Sequence, residues 1–381
     1  MTPAPVYLDN AATTALRPEA LEAMLPFLTH HFGNPSGSHS VSRAARRAVD
    51  DARDVVSQCL GGERGARRTE VVFTGGGTEA DNLAIAGVVA ARPGRVICSA
   101  VEHHAVLHAT RAQGGVTVAV DADGVIDLRA LEAALGDGDG VSVVSVMLAN
   151  NEVGTVQPVA DAVALVRERA PGAVVHTDAV AAFPWVDVAE HAATADLVAV
   201  SAHKFGGPKG VGALLVDKTV ALQPILHGGG QERDRRSGTH NVAGIVGMAA
   251  AMAATVAERE AAVARVATLR DRLADGLLTA IEGAVETGDR ATKVAGNCHL
   301  RFPGVESEAL LVLLDQAGVC AAAGSACTSG AIEPSHVLLA MGISRSEALS
   351  SLRLSLGITT TAGDVERALL AIPDAVARLR R

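Results

Sequence analysis

Apolar and polar positions alternate in blocks along the first two thirds of this chain. Short, mostly β-branched runs at Glu70–Thr74, Val96–Ser99, Val116–Val120, Val141–Leu148, Ala173–His176 and Leu197–Val200 have the length and composition of buried strands. Stretches with helical spacing lie between them: one opens at the glycine turn 75–77 and runs to Ala91, and others cover Ala105–Gln113, Leu128–Leu135 and Val159–Arg169. One more strand-like run, Val211–Val216, follows a turn rich in Gly and Pro. This order predicts an α/β domain on a mainly parallel sheet.

The pattern changes after Thr239. Val242 to about Ile281 is almost continuously helical in composition and reads as a bridge between domains. A smaller α+β set follows: strand Asn297–Phe302, helix Ser307–Ala317, helix Ser335–Met341, strand Ser351–Leu356 and helix Asp364–Arg378. The expected division is a large domain, residues 16–255, and a small domain formed by residues 1–15 and 256–381.

Hydrophobic residues make up 49% of the 381 positions but aromatics only 2%, so small aliphatic side chains must do most of the packing. The formal net charge of −9 argues against direct nucleic-acid binding, which favours a basic field. The N-terminus has no basic segment leading into an apolar one, so no signal peptide is expected. The apolar stretch Val242–Ala257 meets Glu258, Arg259 and Glu260 before reaching the ~18 residues of a membrane span. No membrane partner and a cytoplasmic location are the expectation. The five cysteines are odd in number and include no C-x-x-C pair, which fits neither a disulfide framework nor a zinc ribbon. No metal site is expected.

The candidate chemistry sits in the turns after the strands. Lys204, in Ser201-Ala-His-Lys-Phe-Gly-Gly-Pro, lies between two apolar runs, where burial depresses an amine's pKa and favours a Schiff base with a carbonyl. Pyridoxal phosphate is a cofactor held in this way. An exposed turn lysine is the alternative. The turn Gly75-Gly-Gly77-Thr78-Glu79 opens a helix, whose free N–H groups favour a phosphate. It lacks the dinucleotide and P-loop spacings, and it also reads as a glycine turn without a ligand. Asp178 closes a strand, where a carboxylate faces the crevice of an open α/β sheet or caps a helix. His103 follows a strand on the same edge and suits ring stacking or proton transfer. Arg353 suits a carboxylate clamp or a solvent-facing strand position. Cys327 lies in Gly324-Ser-Ala-Cys-Thr-Ser-Gly, a setting for an accessible thiol, whereas Cys98 and Cys320 suit small core residues.

Taken in order, these segments resemble the cysteine desulfurases of the NifS/IscS type. That group lies within the class V aminotransferase-like, fold-type I pyridoxal phosphate enzymes. The resemblance runs through Tyr7-Leu-Asp-Asn-Ala-Ala-Thr-Thr14, Phe32-Gly-Asn-Pro-Ser36, Phe73–Ala84, Glu102-His103 and Asn150-Asn-Glu-Val-Gly154. It continues through the lysine turn, Gly228-Gly-Gly-Gln-Glu-Arg233, Arg236-Ser-Gly-Thr239 and the Cys327 loop. It implies a fold-type I architecture with a seven-stranded-type sheet. It implies that Lys204 carries the cofactor, that Gly77, Thr78, Ser201 and His203 hold its phosphate, and that Thr239 reaches over from a second subunit of a homodimer. Asp178 would pair with the ring nitrogen, His103 would stack on the ring, and Asn151 would lie near the ring oxygen and substrate. Arg353 and Asn34 would bind the carboxylate of L-cysteine. Cys327 would take the sulfur as a persulfide for an acceptor protein, leaving L-alanine. Two departures stand out. Ala181 occupies the place of the family's Gln three residues after Asp178, and the chain ends soon after Arg378, short of the tail with which some members dock an iron–sulfur scaffold. Other readings are a selenocysteine lyase, a class V aminotransferase, or a phosphate-binding α/β module without chemistry.

Overall fold

The computed structural model describes residues 4–62, 69–323 and 333–380. The first elements in chain order are β1 (Val6–Tyr7), α1 (Pro18–Thr29), α2 (Ser40–Cys59), β2 (Thr69–Thr74), α3 (Gly77–Ala91), β3 (Arg95–Ser99), α4 (His104–Ala112) and β4 (Val116–Val118). There follow α5 (Leu128–Leu135), β5 (Val141–Ser145), α6 (Val159–Arg169), β6 (Val174–Asp178), α7 (Val188–His191), β7 (Leu197–Ser201) and β8 (Gly212–Asp217). The rest comprises α8 (Val242–Ala280), β9 (Val285–Glu286), β10 (Asn297–Arg301), α9 (Ser307–Gln316), β11 (Val319–Cys320), α10 (His336–Ala340), α11 (Arg345–Ala348), β12 (Ser351–Ser355) and α12 (Ala362–Leu379).

Seven strands form one sheet in the order β2-β8-β7-β6-β5-β3-β4, in which only β8 runs against its neighbours. Apart from the edge strand β4, the strands are buried on both faces over most of their length, as the apolar runs require. Along β7 and β8, Val198, Val200, Ala213 and Leu215 enter the core on one face, while Leu197, Ala199, Leu214 and Val216 enter the core on the other. A third cluster joins Val6 and Leu8 to Val266, Leu273, Leu277, Leu300, Phe302, Leu352 and Ile372 around the antiparallel sheet β12-β10-β9. β1 and β11 pair in parallel beside it.

The alternation located the sheet but not the two helices before it. In α2 the buried residues Ser42, Ala45, Val49, Ala52 and Val56 follow a clear helical period, and it is the intervening Arg and Asp residues that disguise it. β5 stops at Ser145 rather than Leu148, because the chain turns there into the loop that carries Asn150–Gly154. Val146 and Leu148 still donate to the β6 carbonyls of His176 and Asp178. The charged cluster at Glu258 does not end α8, which continues to Ala280. Its most apolar 18-residue window meets the length and composition of a membrane span, and 56% of it is buried within the protein. α8 packs on α1, α2 and α12 as an interior helix.

The segment after β8 contains three consecutive left-handed residues, Glu232, Arg233 and Asp234, with φ of 48°, 56° and 63°. Each carries a Cβ, which makes this conformation costly by about 1 kcal/mol per residue. The turn is held by the buried Glu232 carboxylate. Arg53 donates to both its oxygens at 2.7 Å, His240 Nε2 lies 2.7 Å away, and the Phe73 N–H donates at 2.9 Å. Burial alone would raise the Glu232 pKa, but the hydrogen bonds from Arg53 and His240 outweigh it and bring the pKa down to about 2.

A depressed carboxylate stabilises the fold above its unfolded pKa and loses that contribution as pH falls through its folded pKa. Glu232 therefore adds on the order of 3 kcal/mol at neutral pH, lost as pH falls from about 4.5 toward 2. Glu232→Gln should lower the unfolding free energy at pH 7 by several kcal/mol and flatten this part of the acid profile. Denaturant titrations of both proteins between pH 2 and 7 measure it, and parallel profiles would contradict the assignment.

Candidate active site

The parallel strands of the main sheet end on a common edge, and their exits carry the candidate residues. β2 leads through Thr74 into the N-terminus of α3, β3 into Glu102 and His103, and β5 into the loop Asn150–Gly154. β6 ends at Asp178, and β7 ends at Ser201 just before Lys204. This is the place where open α/β sheets bind ligands. A cavity of about 350 Å³ results, lined by Gly77, Thr78, His103, Asn151, Asp178, Ser201, His203, Lys204 and Arg353 among others. Asn34 and Thr239 do not line it. Asn34 is exposed and its Oδ1 accepts the Ser36 N–H at 3.0 Å, and Thr239 is also exposed. Cys327 lies outside the described residues.

Lys204 ends a short 3-10 turn, Ala202–Lys204, rather than an open loop. Its ammonium donates to the Ala11 and Ala12 carbonyls at 2.5 and 2.9 Å. Burial, with the Arg353 charge adding to it, brings the Lys204 pKa down to about 8. His103 caps α4, its Nδ1 accepting the Ala105 N–H at 3.1 Å. The residue lines the cavity and is itself exposed. Desolvation and the nearby Lys204 push its pKa down to about 4, so the imidazole is neutral at pH 7.

Asp178 accepts the Val180 N–H at 2.8 Å. The carboxyl oxygens of Asp178 and Asp81 and a ring nitrogen of His103 lie within 4.8 Å of one another. Burial raises the pKa of both aspartates, and the nearby Asp178 and Glu102 raise Asp81 further. Asp81 Oδ1 has no hydrogen bond and faces His176 Nε2, equally without one, at 3.5 Å. His176 Nδ1 is 2.8 Å from Ser145 Oγ. Buried carboxyl groups that suppress each other's ionisation attract a cation. A protonated ring nitrogen meets that demand as a metal ion would.

The first turn of α3 has no side-chain cap, and its N–H groups open beside the hydroxyls of Thr78 and Ser201. Gly76 has φ +150°, a conformation that favours glycine. A Cβ on Gly77 would come within 2.8 Å of Val180 Cγ2. The turn is thus packed tightly; its Gly75 N–H donates to Glu79 Oε2 at 2.7 Å, and the N-cap position itself supplies no side-chain cap to the N–H groups that follow. A depressed lysine, an orphaned acid cluster and an uncapped helix N-terminus fit the amine-reactive carbon, the ring nitrogen and the phosphate of pyridoxal phosphate respectively. The methyl group of Ala181 lies where this cavity meets a second, mostly apolar one of about 300 Å³ lined by Leu16, Trp185, Phe205 and Leu356.

The residue-by-residue reading missed Asp81, Glu102, His176 and Glu152. Asp81 carried a signal, an acid three and seven residues before Ala84 and Val88 and so on the apolar, buried face of α3, and His176 stands two residues before Asp178 and so on the same strand face. Glu152 is buried, and its pKa is pushed up to about 7 by desolvation against the opposing effect of the Ser335 hydroxyl, which donates to it. No local pattern marks that pairing.

The model of the aminotransferase class-V family matches residues 6–368. The IscS-like cysteine desulfurase of Mycobacterium tuberculosis is 45% identical, the match covering 98% of this chain and 97% of that protein. A solved NifS-like protein superposes with a TM-score of 0.89 at 34% identity, over 98% of this chain and 100% of that one. A structure of SspA in complex with cysteine gives a TM-score of 0.77 at 29% identity, over 93% and 99% of the two chains.

A lysine with a pKa near 8 is half neutral there and increasingly so above it. Capture of added pyridoxal phosphate by the apo-protein, trapped with borohydride, should rise between pH 7 and 9 with a midpoint near 8. Lys204→Ala should trap none. A midpoint near the ordinary lysine value of 10.5 would refute the depressed pKa.

Proposed function

Because the chain belongs to the class-V aminotransferase family and resembles its cysteine desulfurases along almost its whole length, we propose that it is a pyridoxal phosphate-dependent L-cysteine desulfurase. The observation that carries this reading is the convergence of Lys204, Asp178, His103 and Arg353 on one cavity beside the uncapped N-terminus of α3. When bound, the cofactor supplies an electron sink that weakens bonds at the substrate's α- and β-carbons.

The chain's own residues then have distinct tasks. Gly77, Thr78, Ser201 and His203 hold the phosphate, and Lys204 holds the aldehyde carbon. Asp178 would pair with the ring nitrogen and favour its protonated form, and neutral His103 would lie against the ring, available to move a proton. Arg353 binds the α-carboxylate, with Asn151 beside it. The Cys327 thiolate attacks the substrate sulfur. A sulfur–sulfur bond forms, the carbon–sulfur bond breaks, and its electron pair takes up a proton at carbon. The balance is L-cysteine plus thiol giving L-alanine plus persulfide, which passes sulfur to an acceptor protein. Among the other cysteines, Cys98 and Cys298 are buried with pKa values pushed up to about 12 by desolvation, which suits inert thiols.

The reading includes a large domain of residues 16–255 and a small one of 1–15 with 256–381, supported by the separate apolar cluster around β10 and β12. It also includes a homodimer in the cytoplasm, where thiols stay reduced. Support for the dimer comes from Leu21, Leu25 and Leu28 on α1 and from Phe32 beyond it, which are 46%, 47%, 60% and 79% exposed. Light scattering should give twice the chain mass, and a monomer at micromolar concentration would remove this part.

Cys327→Ser should retain the cofactor and lose nearly all release of L-alanine from L-cysteine. Brief incubation of the wild type with L-cysteine, followed by peptide mass mapping, should place the extra sulfur on Cys327. Full activity in the variant, or a label on Cys320, would overturn the assignment.

A further inference from the structure

The short segment that follows β1 touches both cations of the cavity. Its backbone is fastened to β12: the Ser355 N–H donates to the Leu8 carbonyl at 2.7 Å, and the Asn10 side chain donates to the Ser355 carbonyl at 2.9 Å. The Ala11 N–H donates to Ser355 Oγ at 2.8 Å. The Tyr7 hydroxyl closes the segment on itself by bonding the Asp9 and Thr13 carbonyls. Asp9 is therefore held in register with β12, and Arg353 stands two residues before Ser355 on the same strand face.

The Arg353 guanidinium is nearly buried and lines the cavity with Lys204, whose charge it disfavours. Its Nη2 donates to Asp9 Oδ1 at 2.8 Å, and its Nη1 reaches the Asn151 carbonyl at 3.3 Å. Its Nε is buried and has no partner. A desolvated guanidinium needs a counter-charge, and a long arginine side chain loses rotamer freedom when it is fixed. Asp9 supplies the charge and fixes the side chain in advance, while the other three of the guanidinium's five N–H groups stay unspent.

We propose that Asp9 is a positioning residue: it grips Arg353 by one edge and sets the remaining N–H groups for the α-carboxylate of an amino-acid substrate. The proposal rests on the reading of the cavity as an amino-acid site. It makes affinity for the carboxylate depend on a residue that does not itself line the cavity. Because Asp9 acts by preorganisation, its effect falls on binding rather than on the chemical step.

The test uses the holoenzyme and compares the wild type with Asp9→Asn, which keeps the shape, and Asp9→Ala. The KM for L-cysteine and the dissociation constant for L-alanine, measured by calorimetry, should both rise about tenfold, the size of one charge-assisted hydrogen bond. kcat should stay within about twofold, and cofactor content and melting temperature should be preserved in Asp9→Asn. Unchanged affinity overturns the proposal. So does tighter binding, which would mean that Asp9 competes with the substrate. Loss of folded, cofactor-loaded protein in both variants would make Asp9 a stability element and overturn it equally. Calorimetry needs no turnover. If the wild type binds L-alanine but produces none from L-cysteine, the desulfurase reading fails while the role of Asp9 stands.

Discussion

The site depends on keeping two cations, Lys204 and Arg353, side by side in a largely desolvated cavity. Burial disfavours each charge, and each cation disfavours the other. The fold answers with backbone carbonyls for the lysine and a carboxylate for the arginine, and both come from residues 9–12. That segment is sewn to β12 by Ser355 and reaches Lys204 at the end of the main sheet. It thereby fixes the small antiparallel sheet against the large, mainly parallel one at the candidate site.

The opposite wall works with the other sign. Asp178, Asp81 and Glu102 are buried together, and desolvation raises the pKa of each. Such a cluster is poorly satisfied by itself, and a buried cationic ring nitrogen would relieve it. The neutral histidines nearby, His103 and His176, add hydrogen-bonding capacity without adding charge. The cavity is therefore polarised, with the cations Lys204 and Arg353 held by residues 9–12 and the acids gathered around Asp178, as the proposed carboxylate and ring-nitrogen sites require.

Much of the site was legible because parallel strands concentrate chemistry just past their C-terminal ends. Each apolar run that ends in Thr74, Asp178 or Ser201 names a candidate within a few residues, and the cavity gathers those candidates. Asn34 and Thr239 are placed elsewhere within a single chain, since a motif's order does not say which surface it faces. Asp9 appeared only as part of a motif. Its partner Arg353 is 344 positions away, and no local pattern encodes a contact of that range.

The sequence by itself determined the α/β class, the parallel sheet, the lysine turn, the uncapped glycine turn and the family, because these follow from short-range periodicity and from residues close together in the chain. The tertiary structure alone decided that α8 is an interior helix, that Glu232 holds a left-handed turn through Arg53 and His240, that Asp81 and His176 stand behind Asp178, and that Asp9 grips Arg353. All of these depend on side chains that meet only after the sheet closes, when burial turns separate charges into pairs.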